Sequence, residues 1–130
     1  MATLVARLQL KAGMRVTLLN VPPGYIDLLT RELAGLDLQP PSGSATEATL
    51  LFVHNLAEAN SLTPQAISAV QPNGLLWIAY PKGGSGIETD INRDILWWAL
   101  EPTGWRPVRL VALDDVWSAM RLRPAEKVGK

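Results

Sequence analysis

Three stretches of the chain are apolar at nearly every position rather than at alternate ones. They are Met14-Arg15-Val16-Thr17-Leu18-Leu19, Leu50-Leu51-Phe52-Val53 and Leu75-Leu76-Trp77-Ile78-Ala79-Tyr80. Short runs of this kind, closed by turn residues, predict strands buried on both faces. They stop at Asn20-Val21-Pro22-Pro23-Gly24, at His54-Asn55 and at Pro81-Lys82. Between them the apolar period becomes helical. A helix over about 24–34 presents Tyr25, Leu29 and Leu33, widened by Ile26 and Leu28. Thr63-Pro64 predicts a second helix start, with threonine as cap and proline in the first turn, and Pro72-Asn73-Gly74 predicts its end. A third helix, over about 89–100, carries Ile91, Ile95 and Trp98, with Thr89 or Asp90 as its cap. Residues 106–113 and 116–123 read as an antiparallel hairpin turning at Asp114-Asp115. Leu36 to Gln39 suits a short strand, residues 3–10 a short helix or a strand covering a sheet edge, and residues 40–48 a loop.

Strand and helix alternate three times before the hairpin. The expected architecture is α/β: a three-layer, Rossmann-like and mostly parallel sheet with a C-terminal antiparallel hairpin. The 130 residues suit one domain, with about 1–10 as an N-terminal arm and about 124–130 as a basic tail. Twelve basic against twelve acidic residues leave no broad field for nucleic acid or an anionic membrane, so neither is an expected partner. No apolar run approaches the ~20 residues that cross a bilayer, and the first residues do not read as a signal peptide, so a cytoplasmic protein is expected. The absence of cysteine removes thiolate chemistry and cysteine-ligated metals. Four of the five tryptophans (Trp97, Trp98, Trp105, Trp117) fall in the last third. A base-stacking platform would need basic residues interleaved with them; without those, core packing or a homo-oligomer interface is the expectation.

In an open parallel sheet, ligands bind beyond the carboxyl ends of the strands. If the three runs are parallel, Asn20, His54 and Lys82 converge there. Lys82 opens a glycine-rich loop, Gly83, Gly84, Ser85 and Gly86, that leads to the helix start at Thr89. Glycines allow close approach of backbone N–H groups to an anion, lysine adds charge, and a helix N-terminus adds its dipole. Asn20, Lys82, Gly83–Gly86 and Thr89 are therefore the candidate binding residues for a small anion. His54, the one histidine, and Asp90 are the candidate proton carriers. A single histidine with scattered carboxylates predicts no metal site.

Several segments resemble a known family. Gln71-Pro72-Asn73-Gly74-Leu75-Leu76 is similar to the turn before the fifth strand of class I S-adenosylmethionine-dependent methyltransferases, and Thr103-Gly104-Trp105 to the turn before their last two strands. Asn20 with Pro22 and Gly24, Trp77 to Lys82, Thr89-Asp90, Arg93-Asp94 and Asp115 with Trp117-Ser118 resemble a family of small bacterial methyltransferase-like proteins, over about residues 11–124. The resemblance implies a trimmed methyltransferase-like fold and, through it, S-adenosylmethionine as cofactor. The methyltransferase first loop carries a GxGxG run, and the second strand ends on an acidic residue. Here the loop is Asn20 to Gly24, with two prolines and one glycine, and glutamine and proline stand at 39–41. The expectation is therefore no cofactor and a degenerate, non-catalytic binding or assembly module. The alternative is a small enzyme, a methyltransferase among the options, or an anion- or nucleotide-binding protein using the rim near Lys82.

Overall fold

The computed structural model describes residues 4–40, 44–82 and 89–124. In chain order the elements are α1 (Leu4–Arg7), β1 (Arg15–Leu19), α2 (Tyr25–Glu32), β2 (Asp37–Gln39), β3 (Thr46–Phe52), α3 (Leu56–Ala69), β4 (Val70–Pro81), α4 (Arg93–Leu100), β5 (Trp105–Ala112) and β6 (Trp117–Pro124). The six strands form one sheet in the order β2-β1-β3-β4-β6-β5. Strands β1 to β4 are mutually parallel, and β6 and β5 add an antiparallel end.

From β1 the chain steps outward to β2, then returns past β1 to lay down β3 and β4 on the other side. Right-handed crossovers in opposite directions put their helices on opposite faces. The burial agrees. Leu29 of α2 joins Val16, Leu18, Leu50, Phe52 and Trp77 in a first core, while Ala59 of α3 and Leu96 of α4 join Leu51, Leu76 and Ile78 in a second. The strand runs have no polar alternation because both faces of the sheet are covered.

Two expectations need correction. Helix α3 begins at Leu56, seven residues before Thr63 could cap it: Asn55 is the cap, accepting from the Glu58 amide at 2.9 Å, and Pro64 lies in the helix interior. The Thr63 hydroxyl instead donates to the Ala59 carbonyl one turn back. The Pro72-Asn73-Gly74 turn falls inside β4. Thr46 pairs with Val70 and Ala48 with Leu75, so three extra residues bulge out of the ladder there. Of the two readings of residues 3–10 the helix holds, as α1, and it packs on the sheet face. Leu4, Leu8 and Leu10 are buried in the first core, and the Leu8 carbonyl accepts from the Trp77 indole at 3.0 Å.

Helix α4 also starts later than expected, at Arg93, and its cap is Asn92, which accepts from the Ile95 amide, rather than Thr89 or Asp90. The tryptophans divide: Trp105 and Trp117 are core, Trp97 and Trp98 are exposed. Among the described residues, no helix is long and apolar enough to cross a membrane. Residues 83–88 and 125–130, which hold the glycine loop and nearly all of the basic tail, lie outside the described residues.

Candidate functional site at the strand ends

The carboxyl ends of β1, β3 and β4 meet the start of β6 along one rim, because β6 runs antiparallel and pairs Trp117 with Pro81. Its floor is aromatic. Phe52, the last residue of β3, stacks edge-on with Tyr25 at 5.4 Å and with Trp117 at 5.2 Å between ring centres. The His54 ring stands edge-on to Trp117 at 5.3 Å.

On one side of this floor, Asn20 and His54 are joined through Glu58. The Asn20 side-chain amide donates to the Phe52 carbonyl at 2.8 Å and to Glu58 Oε1 at 3.2 Å. Glu58 Oε1 also accepts from the His54 backbone amide at 2.6 Å and lies 2.9 Å from His54 Nδ1. Partial burial would raise the Glu58 pKa, but the His54 hydrogen bonds, the nearby imidazole and Asn20 outweigh it and hold the carboxyl below its usual range. A carboxylate on Nδ1 favours the tautomer that carries its proton there, which leaves Nε2 as an acceptor facing away from Glu58.

On the other side, the Tyr25 hydroxyl donates to Asp114 Oδ2 at 2.7 Å. Oδ1 of Asp114 accepts from the Val116 and Trp117 amides, both at 2.8 Å. Asp114 is therefore the organiser of the β5–β6 turn, and its neighbour Asp115 is exposed. Burial alone would raise the Asp114 pKa; the donors from Tyr25, Trp117 and Val116 and the charge of Lys82 reverse the sign and lower it. Burial and donation to that carboxylate push the Tyr25 phenol far above its usual range.

Of the candidates, Asn20, His54, Thr89 and Asp90 come together. Thr89 donates its hydroxyl to the His54 carbonyl at 2.6 Å and accepts from the Ile91 amide. Asp90 accepts from the Leu56 amide at 2.7 Å and so caps α3 rather than its own helix. Both are committed to holding the 89–92 segment against α3. Lys82 belongs to the hairpin side of the rim: its backbone amide donates to the Val116 carbonyl at 2.8 Å, and its charge acts on Asp114. Gly83, Gly84, Ser85 and Gly86 are outside the described residues.

Sequence reasoning passed over Glu58, Tyr25, Asp114 and Trp117 as site residues. For Glu58 a signal exists: Asn55 with glutamate three residues on is a capping-box spacing, and His54 with Glu58 is an i,i+4 pair. Among the described residues, no group of three or more His, Asp and Glu side chains is placed to hold a metal ion.

The depressed carboxyls set a pH dependence. A group whose pKa is lower folded than unfolded adds stability above its unfolded value and loses it as pH falls through the folded one. Thermal melts of the wild-type chain are thus expected to drop steeply below about pH 4. Asp114→Asn should melt lower at neutral pH and show a shallower acid drop; an unchanged drop would remove Asp114 from this account.

No protein-family model matches the sequence, and neither does any curated protein. The fold itself has many solved counterparts. An O-methyltransferase from neocarzinostatin biosynthesis, solved with S-adenosylmethionine, superposes at a TM-score of 0.63 with 9% identity, over 85% of this chain and 48% of its own. An S-adenosylmethionine-dependent methyltransferase from Aquifex aeolicus gives 0.57 at 13% identity, over 91% and 86%. A TehB-like methyltransferase from Corynebacterium glutamicum gives 0.56 at 9% identity, over 95% and 89%. The fold is that of the class I methyltransferases. The chain spans about half the length of the O-methyltransferase and most of the other two. At these identities the likeness concerns the methyltransferase-like fold.

Whether the residues present fit the cofactor is decided at the topological switch point, between β1 and β3, where such sheets hold ligands. There the Asn20 side chain reaches across from the end of β1 to the Phe52 carbonyl on β3, and Tyr25 packs on the Phe52 ring. The loop between them contains Pro22 and Pro23, which have no N–H to offer a ligand. β2 ends on Gln39 with no carboxylate; Asp37 is at the opposite end of that strand, bonded to the Gln39 side chain. The first loop and the end of β2 thus lack the glycine run and the carboxylate that the resemblance to methyltransferases leads one to expect there.

Proposed function

We propose that this chain is a methyltransferase-like domain that does not use S-adenosylmethionine and serves as a binding or assembly module. One observation carries the reading: the Asn20 side chain spans the gap between the β1 and β3 ends to the Phe52 carbonyl, and Tyr25 packs on the Phe52 ring beside it. Two further features support it. The N-terminus of α3 has its Leu56 and Glu58 amides occupied by Asp90 and Asn55. The aromatic floor of Tyr25, Phe52 and Trp117 is closed on itself by contacts among its three rings.

Calorimetric titration with S-adenosylmethionine and with S-adenosylhomocysteine tests it. No heat is expected for either. Binding at micromolar strength to the wild-type chain would end the reading.

A further inference from the structure

The β5–β6 pairing sets Arg106 opposite Arg123 and Arg109 opposite Arg121. Directly paired residues project to the same face, and Arg121 and Arg123, two apart in β6, share it as well. It is the face of Trp77, which pairs with Arg121 from the other side. Four guanidinium groups thus form a ladder of two directly opposed like-charge pairs, an arrangement that weakens a sheet. Among the described residues none of the four has a carboxylate within ion-pair distance. Arg121 donates to the neutral side chain of Gln9, and burial, together with Arg123 and Arg109, draws its pKa down.

β5 is an edge strand, and between Pro107 and Arg109 it carries one extra residue, Val108. Past this bulge Arg109 also borders the opposite face, where it lines a groove of about 540 Å³ with Arg93, Asp94, Trp97, Trp98 and Val108. Asp94 pairs with its neighbour Arg93 at 3.4 Å, so these two groove charges offset each other and the basic surplus stands on the ladder round the edge. Trp97 is 46% and Trp98 66% exposed, so two indoles stand in solvent beside it. Basic side chains next to open aromatic faces are what a single nucleic-acid strand needs: guanidinium groups for its phosphates and rings for its bases.

We propose that the β5 edge, from the arginine ladder round to Trp97 and Trp98, docks single-stranded nucleic acid. This gives the binding module a partner, and it rests on that reading. Charge complementarity selects the occupant. A second copy related by a two-fold axis would set the ladder against itself, arginine facing arginine. The overall neutrality of the chain hides the patch, because among the described residues the acidic side chains that balance the total do not pair with the ladder.

Fluorescence anisotropy with a labelled oligouridylate of about 12 nucleotides, using the full chain between about 50 and 200 mM salt, is the test. Binding is expected, with a log–log salt slope of about −3 if four phosphates are neutralised at ~0.7 each. The double variant R106Q/R109Q should roughly halve that slope while keeping its circular dichroism and melting at or above the wild-type temperature, since it relieves the like-charge pairs. Trp98→Ala should weaken binding about tenfold. The proposal is overturned by no anisotropy change at low salt, by a slope that R106Q/R109Q leaves alone, or by full affinity in Trp98→Ala. It is also overturned by inorganic polyphosphate competing as well as the oligonucleotide does, or by light scattering that finds a stable dimer. Absence of oligonucleotide binding sinks this proposal and leaves the module reading standing; heat from S-adenosylmethionine sinks the module reading and, with it, this proposal as the module's partner.

Discussion

Trp117→Ala is expected to cost about 3–5 kcal/mol of folding stability, the range for removing a buried tryptophan. The residue is 4% exposed and sits where four parts of the chain meet. Its ring touches Phe52 from β3, Tyr25 at the head of α2 and His54 beyond β3, and its amide donates to Asp114 in the hairpin turn. Truncation leaves a void that none of these neighbours can fill without breaking its own contacts. Tyr25 is tied to Asp114 and His54 to Glu58. A domain of this size has only about 5–15 kcal/mol in total, so a large share of its stability rests on one ring. Denaturant unfolding should show a much lower midpoint with an unchanged slope. Trp98→Ala supplies the contrast: at 66% exposure, its loss should shift stability by no more than about 0.5 kcal/mol. Equal effects from the two variants would contradict the division of the tryptophans between core and surface.

That division was not visible in the sequence: helical spacing grouped Trp98 with Ile91 and Ile95 on the expected apolar face, whereas the buried residues of α4 are Leu96 and Leu100. Strand character was legible for the opposite reason. Leu50 to Val53 and Leu75 to Tyr80 are apolar without interruption, and only burial on both faces explains such a run. Element starts were harder to read. Thr63-Pro64 has the local chemistry of a helix N-terminus, yet tertiary packing carries α3 straight through it, since Ala59, Thr63 and Ala66 form one buried face of a continuous helix. Asn55 and Glu58 held the correct start.

The candidate site was legible as a location. Strand order brings Asn20 and His54 to one rim, as parallel strands require, but a chain read linearly does not show that Glu58 would join them or that Asn20 would span the crevice. The arginine ladder was hidden more deeply. Arg106 and Arg109 are three apart, which in a regular strand puts them on opposite faces; only the bulge at Val108 returns both to the face of Arg121 and Arg123. The overall neutral charge therefore gave no sign of a ladder that only the fold assembles.

The same kind of irregularity makes Gly74 the other sensitive position. In β4, five residues lead from Val70 to Leu75 while β3 advances only from Thr46 to Ala48. The surplus backbone folds against β3 so tightly that a Cβ on Gly74 would lie 2.6 Å from the Glu47 carbonyl oxygen and 2.8 Å from a Val70 methyl. The first of these is backbone in a paired strand and cannot swing aside. Gly74→Ala gains a few tenths to ~1 kcal/mol by restricting the unfolded chain. It loses about 1–3 kcal/mol through the overpacking it forces, so the net expectation is destabilisation. Gly74→Val, with two further carbons in the same space, should be worse. Gly24→Ala separates crowding from backbone strain: Gly24 has φ +79° with nothing within 4 Å of the added carbon, so only the left-handed conformation is penalised, at about 1–2 kcal/mol. In thermal melts, valine should therefore fall well below alanine at position 74, because the added bulk meets β3, while at position 24 size should matter little. If the two Gly74 variants melted together, the glycine there would be a matter of conformation and not of the distance between the strands.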